Sequence, residues 1–410
     1  MTAGGQRPEF SADEQIEALR SHAAAARAAR QPSPEVEAML DDPALRERMQ
    51  AAEDALREAR LKHGHMFPEG PARSPTEAAR LRAWVEARLR AGEGVSGADL
   101  SGADLSSMDL SGANLRGCLL DGARLSGASL RMTTLADAVL ARADLTGADL
   151  TRADLTGANL GRATLPRARL DGADLTGAVL AESVLDGATA AGAKLAGCDL
   201  YRASLAAVDL SGVDLSGAAL LEVRLGGARL DGATLAKATL LECVLTGASL
   251  AGADLTGAVL YAVKADGAVL REARADKLRA VMGCSLDDAV FLAASLRGAN
   301  LRETRLNRAD LRRATLDEAD LSGASLREAK IHQASARNSR WIKADLRGAG
   351  MIHIDLMDAL LTKADLRGAD LQGANLYRAD LFRTKGDRST GLADIFAAKA
   401  RIDRRRGAEG

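Results

Sequence analysis

The chain has 410 residues, with 55 basic and 56 acidic side chains, a formal net charge of −1 and only 2% aromatic residues. A conventional core of this size buries many Phe, Tyr and Trp side chains. The 47% hydrophobic content, carried mostly by Ala and Leu, therefore favours a repetitive core. The balanced charge excludes a generally basic nucleic-acid binder and gives no support to a strongly acidic protein.

Targeting signals are also lacking in the sequence. No run of 18 apolar residues occurs, so we expect no membrane insertion. The first residues contain no apolar stretch of the kind found in secretory signals. Four dispersed cysteines do not form a disulfide framework, and we therefore expect a cytoplasmic protein.

Residues 1–94 carry the pattern of an N-terminal α-helical segment. The helix-start signals, which pair capping residues with glutamate or proline, are Ser11 with Glu14, Ser33-Pro34, Asp42-Pro43, and Ser74-Pro75 with Glu77. The corresponding helices are expected to end near Arg30, Gly64 and Gly92. We expect them to form a small bundle or to lie against the segment that follows.

A five-residue period replaces the helical pattern from residue 95 onward. Between Leu100 and Leu270, leucine fills 33 of the 35 positions at five-residue steps, and only Ala190 and Ala265 differ. Alanine usually stands two residues earlier. Looking for repeats comes first because a fixed period decides the architecture of the whole segment.

The period shifts by one residue within 271–285 and then resumes. Inside this segment we expect Ala275 and Val281 to hold the inward position. From Leu286 to Leu381 leucine fills 15 of 20 positions. The other five positions are held by Phe291, Ile331, Ala336, Trp341 and Met351.

Neither regular element repeats at five residues. A helix would spread these leucines all round its surface, and a continuous strand would alternate them between two faces. The chain must therefore turn a corner every five residues. The tandem Ala-Asp/Asn-Leu-X-X text resembles the pentapeptide-repeat family. That resemblance implies an all-β solenoid, a right-handed quadrilateral β-helix with one repeat per side and with Leu and the preceding small residue pointing inward.

The expected organisation has three parts. Residues 1–94 are the helical segment, 95–385 the β-helix, and 386–410 a C-terminal capping helix with a basic tail. The apolar residues expected on one face of that helix are Leu392, Ile395, Phe396 and Ile402. A solenoid needs such a cap because its last coil otherwise exposes core and unpaired backbone.

Reading the chain every four repeats reveals one apolar column on the outside. The residues that follow the Leu position there are Tyr201, Leu221, Leu241, Tyr261 and Met282. In the preceding coils the same column reads Ser101, Asp121, Ala141, Gly161 and Ala181. An apolar stripe on a polar rod indicates a binding surface. Two interpretations stay open, a partner-binding site and a surface covered by the N-terminal helices or the shift loop.

A second candidate is Trp341 with the outward Ile342. Tryptophan is a frequent interface anchor, although Trp341 is favoured as the filler of a wider core coil. His63 and His65 form a loop pair without the Cys or carboxylate neighbours that a metal site needs. We find no catalytic constellation, so we expect no enzyme activity, no cofactor and no bound metal.

Three functions follow from these patterns. The favoured one is a non-enzymatic scaffold or adaptor that binds a protein partner. Residues 355–384 are similar to pentapeptide-repeat arms of bacterial type VI secretion clusters, which implies secretion spike or effector proteins as partners. The alternative is a DNA mimic that acts on DNA gyrase, as other family members do. The third is an effector with activity in residues 1–94. The oligomeric state stays open.

Overall fold

The computed structural model describes residues 12–29, 31, 33–67 and 73–402. Within these residues four α-helices and one 3-10 turn come first, at α1 (Ala12–Ala28), α2 (Pro34–Leu40), α3 (Leu45–His63), the turn Gly64–Met66 and α4 (Pro75–Arg90). Six short strands follow, at β1 (Ala219–Leu221), β2 (Thr239–Leu241), β3 (Val259–Tyr261), β4 (Arg279–Val281), β5 (Asp380–Leu381) and β6 (Arg401–Ile402). None of the helices in the described residues has the length and hydropathy needed to cross a bilayer.

The N-terminal helices are confirmed. α2 begins directly after Ser33, and α3 begins at Leu45, two residues beyond the expected Pro43. The bounds predicted for the first helix, Ser11 and Arg30, lie outside the described residues. α1 packs against α2 and α3, with Ile16 buried between the helices.

α4 has the predicted start and end. The Ser74 hydroxyl accepts a hydrogen bond from the Glu77 backbone N–H, and the Glu77 carboxylate accepts one from the Ser74 N–H at 2.9 Å. At the other end Gly92 adopts a φ of +71°, which only glycine adopts without cost. Its N–H donates to the Leu89 carbonyl and closes the helix.

The repeats stack with a register of 20 residues. Arg124 lies between Asp104 and Asp144 in one column of parallel bridges, and Asp154 lies directly beside Asp174. Each Leu-position N–H donates to the next coil, as from Leu105 to the Arg124 carbonyl at 2.8 Å. One bridge every five residues and one coil every 20 give four sides per coil, as expected.

The two apolar columns of each repeat form one continuous core. The Leu positions and the small positions are buried along the rod, and the cluster runs from Leu81 and Val85 of α4 to Leu381. Buried apolar area is the main driving force for folding, offset by the ordering of the backbone. The corners stay outside this core.

The phase shift lies where the sequence places it, but its inward residue differs from the expectation. Ala280, not Val281, is fully buried, and Leu278 fills the small position before it. Large and small side chains have exchanged places, so the volume of the coil is kept. The extra residue enters the corner at Val281–Gly283, and the register becomes 21 residues, with Lys264 opposite Ser285.

α4 caps the N-terminal end of the rod. Val85 is fully buried over the first coil. In later coils the corner and bridge carbonyls accept hydrogen bonds from the preceding coil, which the first coil lacks. Arginines replace those donors: Arg73 donates to the Ser101 carbonyl, and Arg82 donates to the Ser106 carbonyl at 2.9 Å. The exposed backbone edge is thereby satisfied.

The expected C-terminal capping helix is wrong for the described part of that segment. Residues 386–402 form a further irregular coil, in which Gly391 pairs with Asp370 and Phe396 pairs with Asn375. The residues that take the Leu position are Leu392, Ala397 and Ile402, and Ile395 takes a small position. The coil wins over a helix because it pairs the open backbone edge of the coil before it: the Gly391 N–H donates to the Ala369 carbonyl at 2.8 Å.

Candidate partner-binding surface

The apolar stripe coincides with the one four-stranded sheet of the described residues. Leu221, Leu241 and Tyr261 are the third residues of β1, β2 and β3, and they stand side by side in parallel register. Tyr201 precedes them, because the Arg202 N–H donates to the Leu221 carbonyl. We use the term apolar stripe for this column.

Met282 does not belong to the column, contrary to the expectation. Val281 stands opposite Tyr261, because the extra residue enters the chain immediately after β4 begins to turn. Met282 is the next residue, at a φ of +57°, and its side chain is 67% exposed beside the end of the column. The apolar stripe therefore consists of Tyr201, Leu221, Leu241, Tyr261 and Val281, with Met282 at its edge.

The stripe is accessible. Leu221 is 37% exposed, and the other four members are half-buried, because each lies against its neighbours in the adjacent coils. Side chains stacked in this way leave one continuous outer surface instead of separate apolar points. Contiguous exposed apolar area is typical of interaction sites.

Charged residues flank one side of the stripe. Arg202 lies over the Tyr201 ring, with its guanidinium carbon 4.9 Å from the ring centroid. The same arginine pairs with Glu222 at 2.7 Å. Glu242, one coil further along this corner, is exposed and has no ion pair within the described residues. The flank therefore offers one unpaired carboxylate beside Leu241.

The first half of the same face is covered by the N-terminal segment. The 3-10 turn after α3 places His65 directly on Gly161, and a Cβ added at Gly161 would overlap the His65 ring. Gly64 lies against Val139 and Ala141 in the same way. This contact explains why the column is small in these coils: a large side chain would push the turn away.

Two polar side chains of the β-helix hold the turn in place. Arg142 donates to the carbonyls of Gly64, His65 and Phe67 and pairs with Asp121 at 2.8 Å. Asn159 is fully buried beneath the end of α3. Its amide donates to the carbonyls of the last turn of that helix, the group that lacks intrahelical partners.

These contacts bear on whether the N-terminal helices cover the apolar stripe. The hydrogen bonds and side-chain contacts that join the segment to the β-helix lie on the coils between Asp99 and Gly161. The stripe starts at Tyr201, and Leu221 stays exposed. The described helices thus occupy the neighbouring half of this face and leave the stripe open.

Docking of the turn is expected to weaken in mild acid. His65 is 2% exposed, its Nδ1 is buried without a hydrogen-bond partner in the described residues, and burial lowers its pKa. A lowered pKa in the docked state means that the contribution is present above the undocked pKa of about 6.5 and is lost as pH falls. Arg142 and Arg162 oppose the added charge, whereas Glu182 and Asp199 lie near enough to favour it.

Hydrogen exchange of residues 60–67 measures this effect. We expect protection to fall between pH 7 and 5 in the wild type and to stay level in His65→Leu. His63→Gln, which changes the exposed neighbouring histidine, serves as the matched control and should behave like the wild type. An unchanged slope in His65→Leu would assign the pH effect to another group.

Trp341 is a core residue, so its expected role in partner binding is wrong. Its side chain is fully buried, and its Nε1 donates to the Ser339 hydroxyl at 2.7 Å. The hydroxyl in turn donates to the Ala336 carbonyl. Ala336 holds a Leu position with a small side chain, which leaves room in the same coil for the indole.

Ile342 is half-buried and stands in the same outer column as Leu221. Arg302 and Ser322 occupy the two coils between Val281 and Ile342, as the bridges from Asn300 to Arg340 place them. The stripe is therefore interrupted before it reaches Ile342, and partner binding by Ile342 stays a prediction.

The family model described as pentapeptide repeats (8 copies) matches the chain over most of the coiled region. The matched residues are 98–135, 118–157, 134–172, 153–189, 183–220, 224–260, 284–323, 294–333, 324–362 and 353–385. Together these segments cover more than half of the chain. The chain belongs to the pentapeptide repeat family. The gap between residues 260 and 284 contains the phase shift.

Similar solved structures carry the same family description. HetL from Nostoc sp. strain PCC 7120, involved in heterocyst differentiation regulation, is 30% identical over 48% of this chain and 86% of HetL, with a TM-score of 0.44. Rfr23 from Cyanothece 51142 is 32% identical over 23% of this chain and 63% of Rfr23, with a TM-score of 0.23. Full-length QnrB1, a plasmid-mediated fluoroquinolone resistance protein, is 18% identical over 59% and 94%, with a TM-score of 0.20. A search of curated proteins finds no match.

The outer faces of this pentapeptide repeat protein carry mixed charge. Asp345 accepts hydrogen bonds from Arg347 at 2.8 Å and Arg327 at 2.6 Å, and these hold the pKa of its carboxyl well below the ordinary value. Hydrogen bonds from Lys194 and Thr176 lower the pKa of Asp174 to about 2. The stacked aspartates are thus neutralised by basic neighbours, and the acidic columns are interrupted.

The four cysteines occupy inward small positions as free thiols. Burial raises the pKa of Cys118 to about 11 and that of Cys198 to about 12, which disfavours the thiolate needed for nucleophilic or metal chemistry. The Cys118 thiol donates to the Val95 carbonyl at 3.0 Å. Among the residues that the structure describes, no three His, Cys, Asp or Glu side chains come together in a metal-binding group.

Proposed function

We propose that this protein is a non-enzymatic scaffold that docks a protein partner on the apolar stripe. The observation that carries the proposal is the exposed column centred on Leu221 and Leu241, on a face whose other half is already covered by packed protein. A rigid parallel sheet holds these side chains at fixed spacing, so little conformational entropy is lost when a partner binds.

The partner class follows from the resemblance of residues 355–384 to the arms found in type VI secretion clusters. An adaptor that loads effector or spike proteins needs an exposed apolar site on a rigid body, which the stripe supplies. The free thiols support a reducing compartment, and we place the protein in the cytoplasm. We infer a right-handed coil, since about 98% of parallel crossover connections have that hand.

The charge pattern weighs against the alternative of a DNA mimic. Duplex DNA presents continuous negative charge along its length. Here the columns alternate in sign, as where Arg124 follows Asp104 and Arg229 follows Asp209, with ion-pair distances of 3.5 Å and 3.2 Å. Such a surface lacks the uninterrupted acidic face that mimicry of DNA requires.

Site-directed crosslinking in the native host tests the proposal. A photoreactive p-benzoylphenylalanine in place of Leu221 is expected to capture a protein, and the same group in place of Ala236, on another side of the same coil, is expected not to. Adding Leu241→Arg should abolish capture through position 221. Mass spectrometry that identifies secretion spike or effector proteins supports the adaptor role, whereas gyrase subunits would replace it with the alternative. Equal capture at both positions would contradict docking on the stripe.

Fold integrity is expected to survive disruption of the stripe. In Leu221→Arg/Leu241→Arg both charges lie on the outer corner, and the core residues Leu220 and Leu240 are untouched. The β-sheet circular dichroism should therefore match that of the wild type, and so should that of the control Ala196→Arg/Ala236→Arg. A collapse of the signal in the stripe variant alone would show that the stripe is part of the folding core.

A further inference from the structure

The apolar stripe and the covered half of its face form a single surface. The turn after α3 rests on Gly161, and the stripe begins two coils further on at Tyr201. One half of this face therefore already binds the end of a helix through side-chain packing and capping hydrogen bonds. The open half lacks such a cover among the described residues, since Leu221 is exposed.

We propose that the stripe binds an amphipathic α-helix of the partner protein, with basic side chains beside its apolar seam. This inference rests on the proposed docking function and specifies the chemistry of the docked element. Three features of the surface select it: the backbone pairing of the stripe, the spacing of its members and the charge on its flank.

Backbone pairing excludes a strand as the docked element on this face. The Glu222 N–H donates to the Leu241 carbonyl, and the Glu242 N–H donates to the Tyr261 carbonyl, both at 2.8 Å. These strands are bonded to one another along the rod, so they offer no open edge for strand addition. A docked element must bind through side chains, which is how an amphipathic helix binds.

The spacing of the stripe suits a helix. Neighbouring coils lie about 4.8 Å apart, so the column from Tyr201 to Val281 is about 19 Å long. A helix rises about 5.4 Å per turn, and roughly 13 residues cover that length. Apolar residues at i, i+3, i+4 and i+7 then place about one anchor over each coil.

The flank of the stripe determines the charge of the helix. Glu222 is paired with Arg202 at 2.7 Å, while Glu242 is exposed without an ion pair in the described residues. A lysine or arginine beside the apolar seam would pair with Glu242. A charged flank adds specificity and speeds association more than it adds affinity.

The same carboxylate disfavours a second copy of this chain as the occupant. If two stripes met in antiparallel fashion about Leu241, the two Glu242 side chains would face each other. The stripe is also one residue wide, whereas stable dimers bury about 800 Å² on each partner. A helix from a different protein avoids the repulsion and needs only the narrow surface that is present.

Peptide binding to the full chain tests the inference. The probe is a fluorescent amphipathic peptide of about 15 residues with a leucine seam and two flanking lysines. Its controls are a scrambled peptide and one with glutamates in place of the lysines. By anisotropy, Leu221→Arg/Leu241→Arg should weaken binding of the lysine peptide about tenfold or more. Glu242→Lys should reverse the preference between lysine and glutamate peptides, and Ala196→Arg/Ala236→Arg should change neither.

Each other outcome overturns the inference in a recognisable way. Equal binding of the scrambled peptide, or binding that the stripe variant does not weaken, would show that no helix site exists there. A dimer seen by light scattering that Leu221→Arg/Leu241→Arg dissociates would assign the stripe to a second copy. Absence of peptide binding, combined with specific crosslinking through position 221, would reject the helix and keep the docking function. Absence of both would reject the two together.

Discussion

Replacing Trp341 with alanine is expected to destabilise the surrounding coils by about 3–5 kcal/mol, the range for removal of a buried aromatic side chain. The indole is fully buried and its Nε1 is bonded to Ser339, so the substitution leaves both a cavity and an unpaired hydroxyl. In a solenoid each repeat contacts only its neighbours, so the loss should be local. Hydrogen exchange along the chain would show protection lost around residues 320–362 and kept near Leu220.

Ile342→Ala is the matched control for this variant. Ile342 follows Trp341 directly but lies half-buried on the outside, and its truncation should cost about 1 kcal/mol or less. If Trp341→Ala left exchange unchanged and instead reduced partner capture, the indole would have to leave the core on binding. The core assignment would then be wrong.

The architecture of the rod is readable from the sequence because one constraint repeats in every coil. Each side needs a small and a large inward residue, so the Leu and Ala columns announce the five-residue side. The coil length follows from charge: Arg124 between Asp104 and Asp144 makes sense only at a spacing of 20 residues, and the bridges confirm it. Like charges at that spacing would repel.

The sequence misleads where the repeat is irregular. At the phase shift Leu278 and Ala280 exchange sizes, and a rule that seeks a large inward residue then selects Val281 instead. In residues 386–402 the Leu position holds Ala397, so Leu392 and Ile402 no longer read as one column. Their spacing also suits a helical face. Only the hydrogen-bonding demand of the coil beneath decides between the two, and that demand is not written in local residue type.

The candidate surface is half predictable. The period alone places Leu221, Leu241 and Tyr261 in one column, and the register confirms that they stand together. Where the N-terminal segment lies depends on tertiary packing. One signal was present, since the same column turns small at Ala141 and Gly161, as a surface does when another segment packs closely on it.

That close packing leads to the second large expected effect, which comes from adding one methyl group at Gly161. A Cβ there would overlap the His65 ring, and the turn would have to move. Overpacking of this kind costs about 1–3 kcal/mol. The backbone of Gly161 has no positive φ, so the penalty in Gly161→Ala would come from the contact with His65 and not from the conformation of the corner.

Gly226→Ala is the matched control for Gly161→Ala. Gly226 holds the same position in its repeat on another side of the rod, also without a positive φ, and the nearest atom to an added Cβ is the Thr246 carbonyl oxygen at 3.8 Å. We expect hydrogen exchange and limited proteolysis of residues 60–67 to accelerate about tenfold or more in Gly161→Ala and to stay unchanged in Gly226→Ala. The core of the β-helix should be equally protected in both variants.

The two possible outcomes have different consequences for the face as a whole. Acceleration confined to residues 60–67 would show that the turn is held on the rod by its fit to Gly161 and that it can be undocked without loss of the β-helix. The covered half of the face would then become accessible next to the apolar stripe, which would lengthen the surface open to a partner. No acceleration would mean that Arg142 and Asn159 hold the turn through their hydrogen bonds even when the His65 ring is displaced.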